Sequence, residues 1–463
     1  MKILVCIRVG PDGEISPFDE CALELALSTN NAEVSLLSMG PKSCENTLLS
    51  LTRLGAKTAY LLCDNAFAGS DTLATAYTLA LAVKKINPNF VFCGRQSLIG
   101  DTAQTPIMLA QKINFNLITN VMSVESISNN DISCKTRDEG TQTVKTPALI
   151  TIERINTLRK PSIRSTLGEL KILNANDINA NLQKCGLLGS PTRVIETKEN
   201  QSGKRKCKFI EQNELEKVIQ TALNKTKRIT ATKQSENKLK KVLCITNSPV
   251  DYAKKIDDNI AVFDKLDVDS IISQISLQKP DAVLFGSDSI SKRIASLTAA
   301  KMNLGLCADC TDLQTDSNTL YMIRPALSGS VIAKIKSNTK PAMATVRTTE
   351  NSNNIVVSAG FGVKDCIDDV KSFAKKLGAS LNTSRKCVDN GILPYDIQVG
   401  LTGKKISPNV YIAVGISGAV QHIVGMEKSG TVIAINPDKN APIFDYADYG
   451  ILAEFTSDFL NIF

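Results

Sequence analysis

Short apolar runs rich in β-branched residues alternate with longer amphipathic stretches along most of the chain. Residues 3–9 read as a strand, 18–28 as a helix with Pro17 just ahead of it, 33–39 as a strand and 44–54 as a helix closed by Gly55. Residues 58–63 then read as a strand, 73–85 as a helix and 90–93 as a strand. Strands and helices in strict alternation predict βαβ units on a parallel sheet.

The pattern recurs. Pro88-Asn89-Phe90-Val91-Phe92-Cys93-Gly94 resembles Pro280-Asp281-Ala282-Val283-Leu284-Phe285-Gly286. A polar loop follows each, then a helix ending in Lys112 or Lys301, then Asn-x-x-Leu (Asn114 and Leu117; Asn303 and Leu306). Two copies of one α/β unit predict a duplication or the fusion of two related subunits. The polar stretch 196–241 fits the join, although 214–223 is helix-like, and a first strand restarts at 242–246. A second boundary lies near Asn351-Ser352-Asn353-Asn354. Beyond it a third α/β unit opens with a strand at 355–358 and a helix at 366–377.

Within that third unit, Val410-Tyr411-Ile412-Ala413-Val414 is continuous and apolar, as a strand buried on both faces of a parallel sheet must be. Gly415-Ile416-Ser417-Gly418 comes next, followed by a helical stretch over 419–426. A strand, a tight Gly/Ser turn and a helix start form an anion site, because the free N–H groups and the positive dipole end point at whatever phosphate binds there. A nucleotide cofactor is the expectation.

Composition narrows the field. At 463 residues the chain is long enough for two to four domains. A hydrophobic fraction of 43% and a charged fraction of 22% are those of soluble globular protein. The net charge of +8 is concentrated in part at 204–241, the expected linker, and aromatics are only 5% with no Trp. That argues against a nucleic-acid-binding face, which needs basic residues interleaved with aromatics. The 13 cysteines sit mostly in apolar runs, as Cys6, Cys63, Cys93 and Cys244 do, where Cys acts as a small hydrophobe. The single C-x-x-C, Cys307-Ala308-Asp309-Cys310, lacks the two further ligands of a structural zinc. The opening apolar run ends at Arg8, too soon for a signal peptide, and no segment approaches 18 uninterrupted apolar residues. No membrane insertion and a reducing cytoplasmic setting are expected. His422 is the only histidine, and no Gly-x-Ser-x-Gly elbow accompanies it, so it is not read as a hydrolase base.

Residues 1 to about 225 resemble the beta subunit of electron-transfer flavoprotein. The marks are Pro17-Phe18-Asp19-Glu20, Cys93-Gly94-Arg95-Gln96, Gly100-Asp101-Thr102-Ala103-Gln104 and Pro147-Ala148-Leu149-Ile150-Thr151. Residues from about 240 to 463 resemble the alpha subunit, through Ala308-Asp309-Cys310-Thr311, Arg324-Pro325-Ala326, Met343-Ala344-Thr345-Val346-Arg347 and the block from Ser384 to Tyr449. The resemblance implies a beta-like domain at 1–225, a linker at 226–239, a shortened alpha-like N-terminal domain at 240–350 and an FAD-binding domain at 351–463. The fold class is α/β: three doubly wound parallel-sheet units, two of them a pseudo-repeat and the third Rossmann-like.

The family implies FAD in the C-terminal domain. By matching position, Ser384 and Arg385 lie at the flavin, and a fixed guanidinium there favours a negatively charged reduced ring. Val399, Gly400, Thr402 and Gly403 line the isoalloxazine, with the Thr402 hydroxyl near N5. Ser417, Gly418, Ala419, Val420, Gln421 and His422 surround the ribityl and pyrophosphate, and Asn436 reaches the adenosine half. Two departures stand out: Phe361 replaces a family arginine, and Leu401 replaces a glutamine. A second nucleotide, AMP in ordinary members and FAD in electron-bifurcating ones, is implied at Cys93, Gly94, Gly100, Asp101, Thr102, Ala103, Gln104 and Thr105. The segment between Val9 and Pro17 is shorter than the family's, so part of that site's wall is expected to be missing. Leu158-Arg159-Lys160-Pro161-Ser162-Ile163 sits where the family has a partner-recognition loop.

The implied function is electron carriage from an acyl-CoA dehydrogenase to a quinone-linked or ferredoxin-type acceptor, by a beta–alpha pair within one chain, read as a monomer. The rival readings are an NADH-oxidising, bifurcating flavoprotein with two FAD, and a degenerate nucleotide-binding protein without redox activity.

Overall fold

The computed structural model describes residues 1–97, 100, 102–199, 204–224, 238–316, 319–327, 331–347, 354–401 and 403–462. The chain divides into two compact units. The first comprises Met1–Thr197, Gln234–Leu327 and Ala333–Arg347; the second comprises Lys198–Lys233, Ser328–Ile332 and Thr348–Phe463.

In the first unit the opening strands are β1 (Lys2–Cys6), β2 (Glu33–Met39), β3 (Thr58–Leu62), β4 (Phe90–Gly94), β5 (Asn116–Ile127), β6 (Asp131–Thr136), β7 (Thr141–Lys145), β8 (Ala148–Ile152) and β9 (Glu169–Leu173). They form one sheet in the order β7-β6-β5-β8-β4-β1-β2-β3-β9. The apolar runs lie inside it, with β4 and β8 buried at every position. The hairpin β6–β7 is antiparallel and its outer strand alternates exposed and half-buried residues, as a one-sided edge does. The helices at Pro17–Ser28 and Thr72–Ile86 are capped by Ser16 and Asp71 accepting backbone N–H groups.

Strand β10 (Thr192–Glu199) follows, and β11 (Lys208–Phe209) belongs to the second unit. The pseudo-repeat then appears as β12 (Val242–Ile245), β13 (Ile260–Phe263), β14 (Ala282–Phe285), β15 (Leu306–Cys310), β16 (Asp312–Asp316), β17 (Thr319–Ala326), β18 (Val331–Ser337) and β19 (Ala342–Val346). Its parallel sheet runs β13-β12-β14-β19-β15, the same order as β2-β1-β4-β8-β5 in the first copy. Even the details repeat. The peptide bonds before Pro147 and Pro341 are both cis, and Asn114 and Asn303 both end a helix in left-handed conformation. The copies differ where β16, β17 and β18 pair with β10 in a separate four-stranded sheet. The copies share a core: Leu109 and Ile113 cluster with Ala295 and Ala299, and Lys112 Nζ reaches the Ala300 carbonyl at 2.8 Å.

The second unit adds β20 (Ile355–Ala359), β21 (Ser380–Thr383), β22 (Val410–Val414), β23 (Thr431–Ile435) and β24 (Tyr449–Ile451). Its sheet, β11-β24-β23-β22-β20-β21, is parallel throughout. Strands β20, β22 and β23 are buried along their whole length.

The compact units cut across the segments drawn from sequence. Residues 204–224, placed with the beta-like part, fold against the C-terminal sheet. Lys208 pairs with Tyr449, and Leu215 and Ile219 join the core around Phe373. The Arg205 guanidinium bonds Asp448 and the Gly430 and Ser429 carbonyls, which staples the segment down. Most of the expected linker 226–239 lies outside the described residues.

Candidate functional site

In an open parallel sheet, ligands enter where the strand order reverses, beyond the carboxyl ends of the strands. In the second unit the chain goes from β20 outward to β21 and then crosses to β22 on the other side, so the reversal lies between β20 and β22. The turns leaving these strands are laced together. Gly360 N donates to the Val414 carbonyl at 2.7 Å and Gly362 N to the Gly415 carbonyl at 3.1 Å. A Cβ on Gly360 would lie 2.0 Å from Gly415 O, so only glycine permits this approach. Gly418 is equally constrained: its φ is +93° and a Cβ would lie 2.2 Å from Ile443 N.

The helix expected over 419–426 is a single turn, Val420–Ile423. It stops because Gly425 is pressed against Gly400, where a Cβ would meet Gly400 N at 2.3 Å, and because Ile406 N takes the Gly425 carbonyl. A helix dipole therefore contributes little here. The turn itself presents Ser417, Ala419 and Gln421 at the surface beside half-buried Val420.

Ser384 follows β21 and is tied to the same end of β20 through Ser384 N to Ala359 O at 3.0 Å. Arg385 is half-buried, and its Nε lies 3.5 Å from Asp389 Oδ2 one turn on. Where the replaced arginine suggested a lost cation, the Phe361 ring gathers two: Lys386 Nζ lies 4.3 Å and Lys364 Nζ 5.5 Å from its centroid. The loop carrying Val399, Gly400 and Gly403 lies against the turn, with Leu401 N donating to Gln421 O. Leu401 is buried; Thr402 lies outside the described residues. Asn436 braces the turn from behind, donating from Nδ2 to Ile416 O at 3.0 Å and accepting Asp438 N–H at 2.9 Å. His422 is buried beneath the turn, its Nε2 2.7 Å from Tyr411 Oη, and burial pushes its pKa down to about 4. The imidazole is neutral at physiological pH.

Sequence reasoning missed the Tyr411–His422 pairing and Lys386, and read Phe361 only as a lost cation. A tyrosine inside a fully buried strand was a usable signal, since its hydroxyl must find a partner.

The first unit has its reversal between β1 and β4. Asp19 is fully buried there, accepting the Arg8 N–H at 3.0 Å and the Gly94 N–H, and burial pushes its carboxyl up to about 7. Gly94 is obligatory, because a Cβ would lie 2.4 Å from Asp19 Oδ1. Ser97 Oγ meets the Arg8 guanidinium at 3.5 Å and Gly100 N at 3.3 Å, and Arg324 donates to Gly100 O at 3.2 Å. Ala103 is left-handed, Thr102 and Thr105 are half-buried, and Gln104, buried ahead of the helix Thr105–Ile113, has an unpartnered Nε2. Cys93 is sealed inside the sheet beside Cys6, which raises its pKa well above that of an ordinary thiol, so it forms wall rather than ligand contact. Asp101 lies outside the described residues.

The equivalent crevice between β12 and β14 has a carboxylate at its helix start. Asp288 caps the helix Ser289–Met302 through Ser291 N at 2.9 Å, and its carboxylate lies 3.0 Å from the position a Gly286 Cβ would take. A carboxylate stands where a phosphate would bind. In the loop at 158–163, Arg159 is pinned to Glu24 at 2.7 Å while Ile163 is 99% exposed. Among the described residues no group of three or more His, Cys, Asp or Glu side chains is arranged to hold a metal, and no helix is long and apolar enough to cross a membrane.

Two family models match most of the chain. The family model described as electron transfer flavoprotein domain matches residues 3–176 and 213–362, and the electron transfer flavoprotein FAD-binding domain matches 351–427. The alpha subunit of electron transfer flavoprotein from Thermoanaerobacterium thermosaccharolyticum is 36% identical over 231 residues, 40% of this chain and 70% of the relative. The beta subunit from the same organism is 40% identical over 202 residues, 41% of this chain and 78% of the relative. Protein FixB of Rhizobium meliloti is 34% identical over 224 residues, 38% of this chain and 64% of the relative. The alpha and beta subunits match different parts of the chain. The chain belongs to the electron transfer flavoprotein family, with beta-like and alpha-like parts fused in one polypeptide.

Proposed function

We propose that this electron-transfer flavoprotein carries electrons on an FAD bound at the β20/β22 crevice, from an acyl-CoA dehydrogenase to a quinone-linked or ferredoxin-type acceptor. The observation that carries the reading is the lacing of the Gly360 and Gly415 turns at the strand-order reversal. It ties the two strand ends together at the reversal, where an open parallel sheet takes its ligand, and leaves Ser417, Ala419 and Gln421 exposed beside it.

The residues present fit that group. Glycines let the turns around the crevice pack backbone against backbone, and two polar atoms, His422 Nδ1 and Ser358 Oγ, are buried without a well-formed hydrogen bond. Ser384, Arg385, Val399, Gly400 and Gly403 would hold the flavin end, and Ser417, Gly418, Ala419, Val420 and Gln421 the phosphate and ribityl end. FAD supplies reversible uptake of electrons. The protein's part is electrostatic. Arg385, steadied by Asp389, and Lys386, steadied on Phe361, place positive charge beside the crevice. Asn436 serves by holding the turn, and neutral His422 offers a hydrogen bond without a charge.

A second nucleotide is proposed at the β1/β4 crevice, where the Arg8 guanidinium and Gln104 Nε2, which has no hydrogen-bond partner, would meet it. Thirteen unpaired thiols fit a reducing cytoplasmic setting.

The test is anaerobic. Mixed with a catalytic amount of acyl-CoA dehydrogenase and excess acyl-CoA, the protein's visible flavin absorbance should bleach, and NADH alone should leave it unchanged. Bleaching by NADH alone moves the assignment to the bifurcating reading, and bleaching by neither overturns both donors.

A further inference from the structure

Cys6 and Cys93 stand opposite each other on neighbouring strands. β1 and β4 run parallel with Cys6 in register with Cys93, and both strands end here, at the mouth of the β1/β4 crevice. The two side chains lie on the same face of the sheet, in the cluster that holds Leu4, Val91 and Leu149, while Ile3, Val5, Phe90 and Phe92 face the other way. Neighbouring strands lie about 4.7–4.9 Å apart, inside the ~4.4–6.8 Å between Cα atoms that a disulfide spans. Both thiols are free, so the pair is a dithiol. They differ in access. Cys93 is 4% exposed, and its Cys6 neighbour together with burial holds its pKa well above that of an ordinary thiol, whereas Cys6 is half-buried at the end of its strand. The chain beyond each cysteine meets at Asp19. Arg8, two residues after Cys6, donates its N–H to Asp19 Oδ2 at 3.0 Å, and Gly94, next to Cys93, leaves a Cβ only 2.4 Å from Asp19 Oδ1. A change in the spacing of the two cysteines is therefore felt at Arg8, Asp19 and Gly94.

We propose that Cys6 and Cys93 form a modification site: peroxide converts them to a disulfide, which loosens the nucleotide held at the β1/β4 crevice. Cys6, the reachable thiol, reacts first. Its thiolate sulfur attacks a peroxide oxygen, the O–O bond breaks, and the hydroxide that leaves takes up the thiol's proton to become water. The Cys93 sulfur then attacks the sulfur of the Cys6 sulfenic acid, the S–O bond breaks, and a second water leaves as the S–S bond forms. The two thiols give up two electrons and two protons, and the peroxide is reduced to two waters. Bonding the sulfurs draws the ends of β1 and β4 together. Gly94 has no slack for that movement, being pressed on the Asp19 carboxylate and the Phe18 backbone, so the shift passes into Arg8 and the crevice. The effect on the nucleotide rests on the second-nucleotide proposal above; the disulfide does not.

The test treats the reduced full-length protein with one equivalent of hydrogen peroxide, alkylates the remaining thiols and maps the unreduced peptides by mass. The peptides carrying Cys6 and Cys93 should be joined ahead of any other pair among the 13 cysteines, and dithiothreitol should separate them. In Cys6→Ala, Cys93 should stay reduced under the same treatment, because burial shields it. The linked protein should lose its second nucleotide on desalting and take up AMP or FAD there again after reduction. Cys6 carried on to the sulfinic acid while Cys93 remains a thiol, or another pair linked first, overturns the inference, and the wild-type map decides this even if the variant fails to fold. A linked protein that keeps its nucleotide overturns the effect on the crevice. If the reduced protein holds no nucleotide there, the second-nucleotide proposal and that effect fall together, while the peptide map still decides the disulfide.

Discussion

Asn120 and Asp309 occupy the same place in the two copies of the pseudo-repeat. Each has a left-handed backbone, with φ of 59° and 57°. Each donates its buried N–H to a threonine hydroxyl on the neighbouring strand, Asn120 to Thr151 at 3.0 Å and Asp309 to Thr345 at 2.9 Å. One bulge, built twice, shifts the pairing register within β5 and within β15. Thr151→Val and Thr345→Val each orphan a buried donor and should cost about 1–3 kcal/mol by denaturant unfolding, the two values agreeing within error. A loss from one variant and none from the other would show that the copies no longer share this device.

His422 supplies a pH prediction. The folded ring takes up a proton only near pH 4, whereas an unfolded histidine does so near its ordinary value of 6.5. Between these values the unfolded state binds more protons, so stability falls as the pH drops from 6.5 toward 4, by on the order of 3 kcal/mol in full. The carbon-bound proton resonances of the single imidazole should not move between pH 8 and pH 5. A midpoint near 6.5 would show that the ring is solvated.

Much of the architecture was legible because parallel strands buried on both faces must be continuous apolar runs, as Val410 to Val414 and Phe90 to Cys93 are. The repeat was legible from Pro88 and Pro280 onward for the same reason. The edge pieces were not. The strands β6, β7 and β16 are polar on one face and carry no such run. Nothing local to Lys208 says that it will pair with Tyr449, far along the chain. At the site, the glycine turn was readable from its spacing. The truncation of its helix depends on Gly425 meeting Gly400, and the lysines on Phe361 depend on the fold bringing Lys386 alongside.

Gly94 tests the second crevice. A methyl group there would meet the Asp19 carboxylate at 2.4 Å and the Phe18 backbone at 2.7 Å, neither of which yields easily. Gly94→Ala should destabilise the first unit by about 1–3 kcal/mol, as overpacking does, and release the second nucleotide while FAD stays bound. Thermal melting with assay of released nucleotides reads both effects. Retention of both nucleotides would place the second one elsewhere.

Lys386 tests the replaced cation. Lys386→Gln removes the charge nearest Phe361 and should weaken FAD binding to flavin-free protein by roughly three- to tenfold, more at low salt than at high. Fluorescence titration at two ionic strengths measures it. An unchanged affinity at both would show that the lysines at Phe361 do not serve the cofactor.

The central claim is that the β20/β22 crevice holds FAD. Purified protein, denatured to release its nucleotides and assayed for flavin and adenine, should give one FAD per chain from this crevice, accompanied by one AMP or a second FAD from the β1/β4 crevice. A protein that contains no flavin, and takes up none on incubation with FAD, would contradict the account.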